Sequence, residues 1–307
     1  MLIRNVAVSL QNVHKNYYKV HALKGISFNV HSKEVFGIVG PNGAGKTTVF
    51  RLIVGILKPD QGFLLVNGIN TRFKIEQVRR MVGYLPEFPY IYERLSVTEN
   101  LEFFAKVYGI KNRKERINQL LILLDIKKLK NATVAKLSKG FKQRVSIATA
   151  LIHDPEIMVL DEPTAGLDPL TAVFIREVIT QIAQNGKTIL VSSHNLYEIE
   201  KICNQLAILN EGLLTEMGTP NDLKQRLGSN IIEIIFQEPL LDKLKISIKG
   251  VTIHEVKENS IIIEVNNLGV MNQLLGYLMQ KGISIGGVMP RKSLEEVYVD
   301  YMKRRLE

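Results

Sequence analysis

One stretch of the sequence has the residue types and spacing of a phosphate-binding loop. Residues 40–47 match the pattern G-x-x-x-x-G-K-[ST]. In such a loop, glycines let successive backbone N–H groups point at an anion, the lysine lies beside the β- and γ-phosphate oxygens, and the hydroxyl can bind Mg²⁺. The sequence therefore predicts a nucleotide phosphate site. Its expected contacts are Gly40, Pro41, Asn42, Gly43, Ala44, Gly45, Lys46, Thr47 and Thr48.

A pair of carboxylates follows a short apolar stretch further along the chain. Residues 157–160 read Ile-Met-Val-Leu, and Asp161 and Glu162 come directly after them. Ligands of α/β sheets bind at the carboxyl ends of the strands. We expect Asp161 and Thr47 to hold Mg²⁺, and Glu162 to orient and polarise a water for in-line attack on the γ-phosphoryl group.

The elements around these residues alternate between strands and helices. An apolar strand at 34–39 precedes the glycine-rich loop, and a helix at 46–56 follows it. Further strands are predicted at 62–66, 81–85, 157–160 and 188–192, and further helices at 97–108, 113–124, 169–183 and 196–202. Before residue 30 the pattern alternates and breaks at Gly25. Alternation of this kind predicts an α/β fold with a mostly parallel core sheet.

Four more features resemble the motifs of ATP-binding cassette (ABC) proteins. Residues 137–141, Leu-Ser-Lys-Gly-Phe, are similar to the family's signature loop, whose commonest form is Leu-Ser-Gly-Gly-Gln. Asp168 matches the family's D-loop aspartate, His194 matches its switch histidine, and an aromatic residue precedes the first glycine turn. The motifs follow the family order over residues 1 to about 227, although Lys139 and Phe141 depart from the commonest signature.

The resemblance implies a fold, a mechanism and a partner. The fold is that of a P-loop NTPase of the ABC ATPase type, with a parallel core sheet, an antiparallel β segment and a helical subdomain at about 88–155. In the family, two cassettes enclose two ATP molecules. Ser138, Gly140 and Asp168 would complete the site of a second copy, so a homodimer is expected. Lys46, Glu162 and His194 would be the catalytic residues.

Two positions carry expectations of their own. The aromatic residue that stacks on adenine aligns best as Tyr17, but the adjacent Tyr18 could serve equally, since stacking needs only a flat ring. Glu87 stands where the family has the glutamine of its Q-loop. We expect Glu87 to contact Mg²⁺ directly or through water.

After residue 227 the composition changes to short β-rich runs. The sequence predicts strands at 231–236, 251–256, 260–265 and 284–288, a helix with apolar Met271, Leu274, Leu275 and Leu278, and a final helix capped by Ser293 and Glu296. We therefore expect two domains, an ATP-binding domain at 1–227 and a small α+β accessory domain at 228–307. No chemistry-bearing cluster is evident in the second, which suggests a structural or regulatory role.

Composition limits the remaining possibilities. The 307 residues carry a net charge of +10, and residues 111–144 alone carry eleven basic and two acidic residues. No run approaches the roughly 18 apolar residues that a membrane-spanning helix needs. Cys203 is the one cysteine, which excludes an internal disulfide, and the first residues lack the apolar core of a secretory signal. These features predict a reducing cytoplasmic location.

Together these observations favour the ATP-hydrolysing subunit of an ABC transporter that powers solute transport, with export favoured. ATP and Mg²⁺ are the expected cofactors. The predicted partners are a second ABC subunit and a separate transmembrane permease, at the cytoplasmic face of the membrane. The permease is expected to contact residues 87–101, with Tyr90, Tyr92 and Leu95 exposed.

Two alternatives remain at this stage. An ABC ATPase that acts on nucleic acid or ribosomes would use the basic stretch at 111–144, although we expect no direct nucleic-acid contact. A metabolic kinase would leave Ser138, Gly140, Asp168 and His194 without a purpose.

Overall fold

The computed structural model describes residues 5–227, 231–239, 248–265, 267–290 and 295–299. The chain divides into two compact units, Met1–Thr219 and Pro220–Glu307. This division comes eight residues before the expected domain boundary at 227/228, so that the short helix between the two points goes with the second unit. The assignment of the two domains stays a prediction.

The first unit holds ten strands and seven α-helices among the described residues. The strands are β1 (Val6–Tyr17), β2 (Val20–His31), β3 (Val35–Val39), β4 (Gln61–Val66), β5 (Ile69–Asn70), β6 (Val82–Leu85), β7 (Ile157–Leu160), β8 (Thr188–Ser193), β9 (Gln205–Asn210) and β10 (Leu213–Gly218). The helices are α1 (Lys46–Ile53), α2 (Ile75–Met81), α3 (Val97–Val107), α4 (Arg113–Leu123), α5 (Lys139–Leu151), α6 (Pro169–Gln184) and α7 (Leu196–Ile202).

A six-stranded sheet forms the centre of this unit. Its order is β10-β9-β3-β8-β7-β6, and every neighbouring pair is parallel except β10 with β9. Strands β3, β7 and β8 consist entirely of buried residues, as expected for a parallel sheet covered on both faces. These three strands are neighbours, so the segments that follow them meet at one edge of the sheet. The predicted α/β class with a parallel core sheet is confirmed.

The first strands form a separate antiparallel sheet with the order β2-β1-β4-β5. The predicted break at Gly25 is a bulge instead, because β2 continues through it while its register against β1 shifts between Ile26 and Lys24. Gly25 has φ +84°, which a glycine adopts without strain. Buried side chains of this sheet, of α1 and of the central sheet form one hydrophobic core, with Leu10, Phe50 and Leu190 among its members.

Helix α1 ends three residues earlier than the sequence pattern indicates. Gly55 has φ +67°, and a Cβ atom there would overlap the side chain of Ile75 in α2. The close approach of α2 therefore ends the helix at Ile53. Helices α3, α4 and α5 pack against one another, and Ser96 and Glu99 form a capping box at the start of α3.

The described residues of the second unit form one antiparallel sheet, two helices and a third, short helical segment. The elements are α8 (Pro220–Leu227), β11 (Ile231–Phe236), β12 (Val251–Val256), β13 (Ser260–Val265), α9 (Leu268–Gln280) and β14 (Ile285–Pro290). The strand order is β12-β13-β11-β14, and α9 packs on β13 around Ile261, Ile263, Leu274 and Leu278. Residues 295–299 are helical, whereas the predicted cap Ser293 lies outside the described residues.

Within the described ranges, every helix is too short or too polar to cross a bilayer.

Candidate active site

The loop between β3 and α1 wraps around the ammonium group of Lys46. Gly43 and Gly45 have φ +81° and +106°, and a Cβ atom at Gly40 would overlap the carbonyl oxygen of Leu209. Lys46 is only 6% exposed, and its Nζ donates to the carbonyl oxygens of Gly40 (2.7 Å) and Pro41 (3.3 Å). Because α1 begins at Lys46, the unpaired N–H groups of its first turn also face the loop. The loop is therefore a preformed site for an anion.

Asp161 lies at the end of β7 and is fully buried. Its Oδ1 accepts a hydrogen bond from the Ser192 hydroxyl at 2.6 Å, while its Oδ2 has no hydrogen-bond partner among the described residues. Burial raises the pKa of Asp161, and the neighbouring charge of Glu162 raises it further against the opposing effects of Ser192, Thr47 and Lys46. A buried carboxylate with one unpaired oxygen is suited to a cation.

Glu162 contacts the two other predicted catalytic residues. Its Oε2 lies 2.8 Å from Nδ1 of His194, and its Oε1 lies 3.5 Å from Nζ of Lys46. The Glu162 side chain is 9% exposed, whereas that of His194 is 60% exposed. The Glu162 backbone has φ +50°, a left-handed conformation that is unfavourable for a residue with a side chain. The arrangement holds the carboxylate beside the phosphate loop.

Ser192 connects the Asp161 carboxylate to the backbone of Glu162, and sequence reasoning missed it. Its hydroxyl donates to Asp161 and accepts from the backbone N–H of Glu162 at 2.9 Å. The side chain is fully buried. The available signal was a pair of serines at the end of an otherwise apolar strand, next to the strand that carries Asp161 and Glu162.

We expect Ser192→Ala to destabilise the fold by about 1.5–3 kcal/mol, because it removes a buried hydrogen bond to a carboxylate. The matched control is Ser193→Ala. Ser193 is also buried, but its hydroxyl accepts only a backbone N–H, that of Asn195. Ser193→Ala should lower the free energy of unfolding by about 0.5–1.5 kcal/mol. Urea unfolding of both variants measures the difference. Equal losses of unfolding free energy would mean that the Ser192 hydroxyl has no special role in holding Asp161.

An open cavity of about 870 Å³ contains most of the predicted site residues. The loop residues Pro41–Thr48 line it together with Tyr17, Glu87, Glu162 and His194. Tyr18 is fully exposed with φ +52° and is not among the lining residues, so the structure brings Tyr17 rather than Tyr18 to the cavity. Side chains that the sequence did not indicate also line it, namely Lys19, His21, Lys24 and Glu211.

Ser138, Gly140 and Asp168 lie outside this cavity. Ser138 caps α5 by accepting from the N–H of Phe141 at 3.5 Å, and Asp168 caps α6 by accepting from the N–H of Thr171 at 2.9 Å. A Cβ atom at Gly140 would lie 2.8 Å from Thr171, so the starts of the two helices are packed closely. The three residues therefore belong to one neighbourhood, separate from the phosphate loop.

Two family models match this chain. The model described as "ABC transporter" matches residues 23–165, and the model described as "ATP-binding protein DrrA1-3-like, C-terminal domain" matches residues 218–302.

Named relatives cover most or nearly all of the chain. The linearmycin resistance ATP-binding protein LnrL of Bacillus subtilis (strain 168) is 30% identical over 96% of this chain and 98% of its own length. The Nod factor export ATP-binding protein I of Rhizobium sp. (strain N33) is 37% identical over 76% of this chain and 78% of its own length. Among solved structures, a dimeric ATP-binding cassette in a post-hydrolysis state bound to ADP and Pi matches with a TM-score of 0.65. It is 27% identical and covers 69% of this chain and 98% of that one.

Proposed function

The chain belongs to the ABC transporter family of ATP-binding proteins, and on that premise we propose that it powers an exporter through the site described above. As a family member it binds and hydrolyses ATP. The names of the relatives, linearmycin resistance and Nod factor export, support export as the direction. The observation that carries the proposal is the meeting of Lys46, Glu162 and His194 in one cavity.

The chemistry of these groups suits phosphoryl transfer to water. The loop N–H groups and the Lys46 ammonium neutralise phosphate charge, which is most of what such a reaction requires. Glu162 orients the attacking water and accepts its proton. His194 fixes the direction of the Glu162 carboxylate through the 2.8 Å contact and, being largely exposed, also faces the incoming nucleotide.

We assign Mg²⁺ to Thr47, Asp161 and Glu87. The unpaired Oδ2 of Asp161 supports the assignment, as does the place of Thr47 and Glu87 on the cavity wall. In the described part of the chain, no group of three or more His, Cys, Asp or Glu side chains could hold a metal by itself. Oxygen atoms of the bound nucleotide and water would supply the remaining ligands, as is usual for Mg²⁺.

A second copy of the chain completes each site in this proposal. Ser138, Gly140 and Asp168 lie outside the cavity of their own chain, and Ser138 is an exposed residue at the start of α5. A helix N-terminus whose capping hydroxyl can still donate its O–H suits an anion that a partner presents. The dimeric state of the similar cassette bound to ADP and Pi supports this arrangement.

The membrane subunit would dock in a groove of about 290 Å³, which we call the docking groove. Its lining includes Pro86, Pro89, Tyr90, Phe104 and Tyr108. Its wall also carries His153, which stacks on Tyr108, and burial lowers the pKa of His153 to about 4. The groove is therefore largely apolar and its histidine neutral at physiological pH, which suits an apolar helix end of a permease at the cytoplasmic face of the membrane.

The exposed residues expected for this contact are present with one correction. Tyr90 is 82% exposed and Tyr92 49% exposed, but Leu95 is half-buried. Its backbone carbonyl accepts from Val134, which ties the segment to the helical part. Phe88, 76% exposed, is a further exposed apolar side chain in the same segment that the sequence analysis did not single out.

We expect Tyr90→Asp to reduce copurification with the membrane subunit at least about tenfold, because it places a charge in an apolar contact. The ATPase activity of the isolated chain should remain unchanged. The control is Ile122→Asp, which alters an apolar residue of α4 that is also exposed (57%) but lies outside the groove. Affinity purification from native membranes checks both variants, and equal recovery would place the membrane subunit elsewhere.

The nucleic-acid alternative is not favoured by the distribution of the basic side chains. Five of those between residues 111 and 144 donate to groups of the chain itself, namely Arg113, Arg116, Lys139, Lys142 and Arg144. Salt-sensitive binding of RNA that stimulates the ATPase would revive this alternative.

A further inference from the structure

Glu198 joins three separate segments around the site. It lies in the first turn of α7, where its backbone N–H donates to Asn195, the residue after His194. Its Oε1 accepts from Nη1 of Arg176 at 2.6 Å, and its Oε2 accepts a short hydrogen bond from the hydroxyl of Thr164. The side chains of Arg176 and Glu198 are only 16% and 14% exposed.

Thr164 belongs to the loop 162–168, which begins at Glu162 and ends at Asp168. This loop is a tight structure, with backbone bonds from Ala165 to Glu162 and from Leu167 to Thr164, both 3.2 Å long. Its Ala165 carbonyl also accepts from Lys139, two residues upstream of Phe141 in the signature stretch. Arg176 lies two turns further along α6, the helix that Asp168 caps.

Loop 162–168 and the segment from His194 to Glu198 line the same cavity. A cavity of about 410 Å³ is lined by Glu162 and residues 164–167 of the loop, by His194 and by Glu198. Exposed apolar side chains stand near it, with Leu170 83% exposed and Tyr197 51% exposed. A second copy that binds this surface, as the proposed function requires, would contact loop 162–168 directly.

From this geometry we propose that Glu198 is a positioning residue that couples loop 162–168 to the Glu162–His194 pair. Glu162 and His194 follow the neighbouring strands β7 and β8, and their 2.8 Å contact holds only while the segments after those strands keep their spacing. The Thr164–Glu198–Arg176 bridge sets that spacing. A displacement of loop 162–168 by a bound partner would therefore change the distance between Glu162 and His194. The inference rests on the proposed function, since the partner is a second copy of this chain.

The test uses Thr164→Val in the full-length chain, because this isosteric change removes one donor and leaves the Arg176–Glu198 ion pair intact. Expected are a kcat for ATP about tenfold lower, a KM within about twofold and a lower Hill coefficient. Thr164→Ser, which keeps the hydroxyl, should restore kcat. The matched control is Thr180→Val on the exposed face of α6, whose hydroxyl bonds only the Arg176 carbonyl.

Glu198→Gln provides the second arm. A carboxamide leaves one acceptor oxygen for two donors, so its loss of kcat should not add to that of Thr164→Val in the double variant. Additive losses, a Thr164→Val enzyme indistinguishable from the control, or a failure of Thr164→Ser to restore kcat would each overturn the coupling.

The two proposals fail differently. ATP-dependent dimerisation of a hydrolysis-blocked chain reports on the proposed function alone. A chain that dimerises while Thr164→Val has no effect would reject Glu198 as a coupling residue. A chain that stays monomeric would reject the arrangement of two copies.

Discussion

Glu162→Gln is expected to abolish ATP turnover, with a fall in kcat of at least about 100-fold, the usual contribution of a general base. The amide keeps the size of the side chain and can still accept from His194, but it cannot accept the proton of the attacking water. The phosphate loop is unchanged, so ATP affinity should persist. With ATP and Mg²⁺, the variant should accumulate as a dimer on gel filtration.

The control for this variant is Glu156→Gln. Glu156 directly precedes β7, at the opposite end of the strand from Asp161, and contacts Asn67 rather than the cavity. Normal turnover by Glu162→Gln would mean that another group activates the water.

Ser138→Asp is expected to stop hydrolysis about as completely, by about 100-fold or more, because it replaces a hydrogen-bond donor by a negative charge where, in the proposed dimer, the partner presents its phosphates. Aspartate is as good a helix cap as serine, so α5 should keep its start and the chain its fold. ATP binding to the loop should remain within a few-fold of normal. Steady-state ATPase and nucleotide-binding assays measure the two effects.

The control is Ser96→Asp, because Ser96 caps α3 in the same way but lies outside the cavity. If Ser138→Asp hydrolyses ATP as fast as Ser96→Asp, then the signature stretch does not complete a site.

Mixing two inactive variants sharpens this test. Lys46→Ala removes the ammonium of the phosphate loop. Ser138→Asp adds a negative charge to the surface that we propose contacts the partner's nucleotide. A mixed dimer contains one site in which both contributions are intact. Half of randomly assembled dimers are mixed, so activity should return to roughly one quarter of normal if the sites act independently. Sites confined to one chain would give no recovery.

The phosphate loop and the paired carboxylates could be predicted from the sequence because each is a local pattern. Lys46 follows a glycine-rich turn after the buried strand β3. Asp161 directly follows the buried strand β7. Since parallel strands end at one edge of the sheet, their meeting follows without further information.

The contacts of Ser192 and Glu198 could not be predicted in the same way. Ser192 reaches Asp161 because β7 and β8 pair with Leu160 opposite Val191, a register that neither strand encodes by itself. Glu198 finds Thr164 and Arg176 only after α6 and α7 have packed. Such pairs depend on tertiary distances between residues 22 to 34 positions apart.

Short elements with weak patterns were missed for a related reason. Helix α2 has only seven residues, so its apolar pattern is too short to identify a helix. Strands β9 and β10 form a hairpin whose turn at Gly212 supports the phosphate loop, since the N–H of Gly212 donates to the carbonyl of Ala44 at 3.1 Å. Nothing in the local sequence at Gly212 indicates that distant contact.

The left-handed backbone of Glu162 has a consequence for the evolution of such chains. Glycine, and to a lesser extent asparagine, adopts this conformation with less strain than glutamate does, so either substitution would relieve backbone strain while removing the carboxylate that contacts His194 and Lys46. Because we propose that this carboxylate activates water, backbone strain and turnover make opposite demands on the position, an instance of the trade-off between stability and activity.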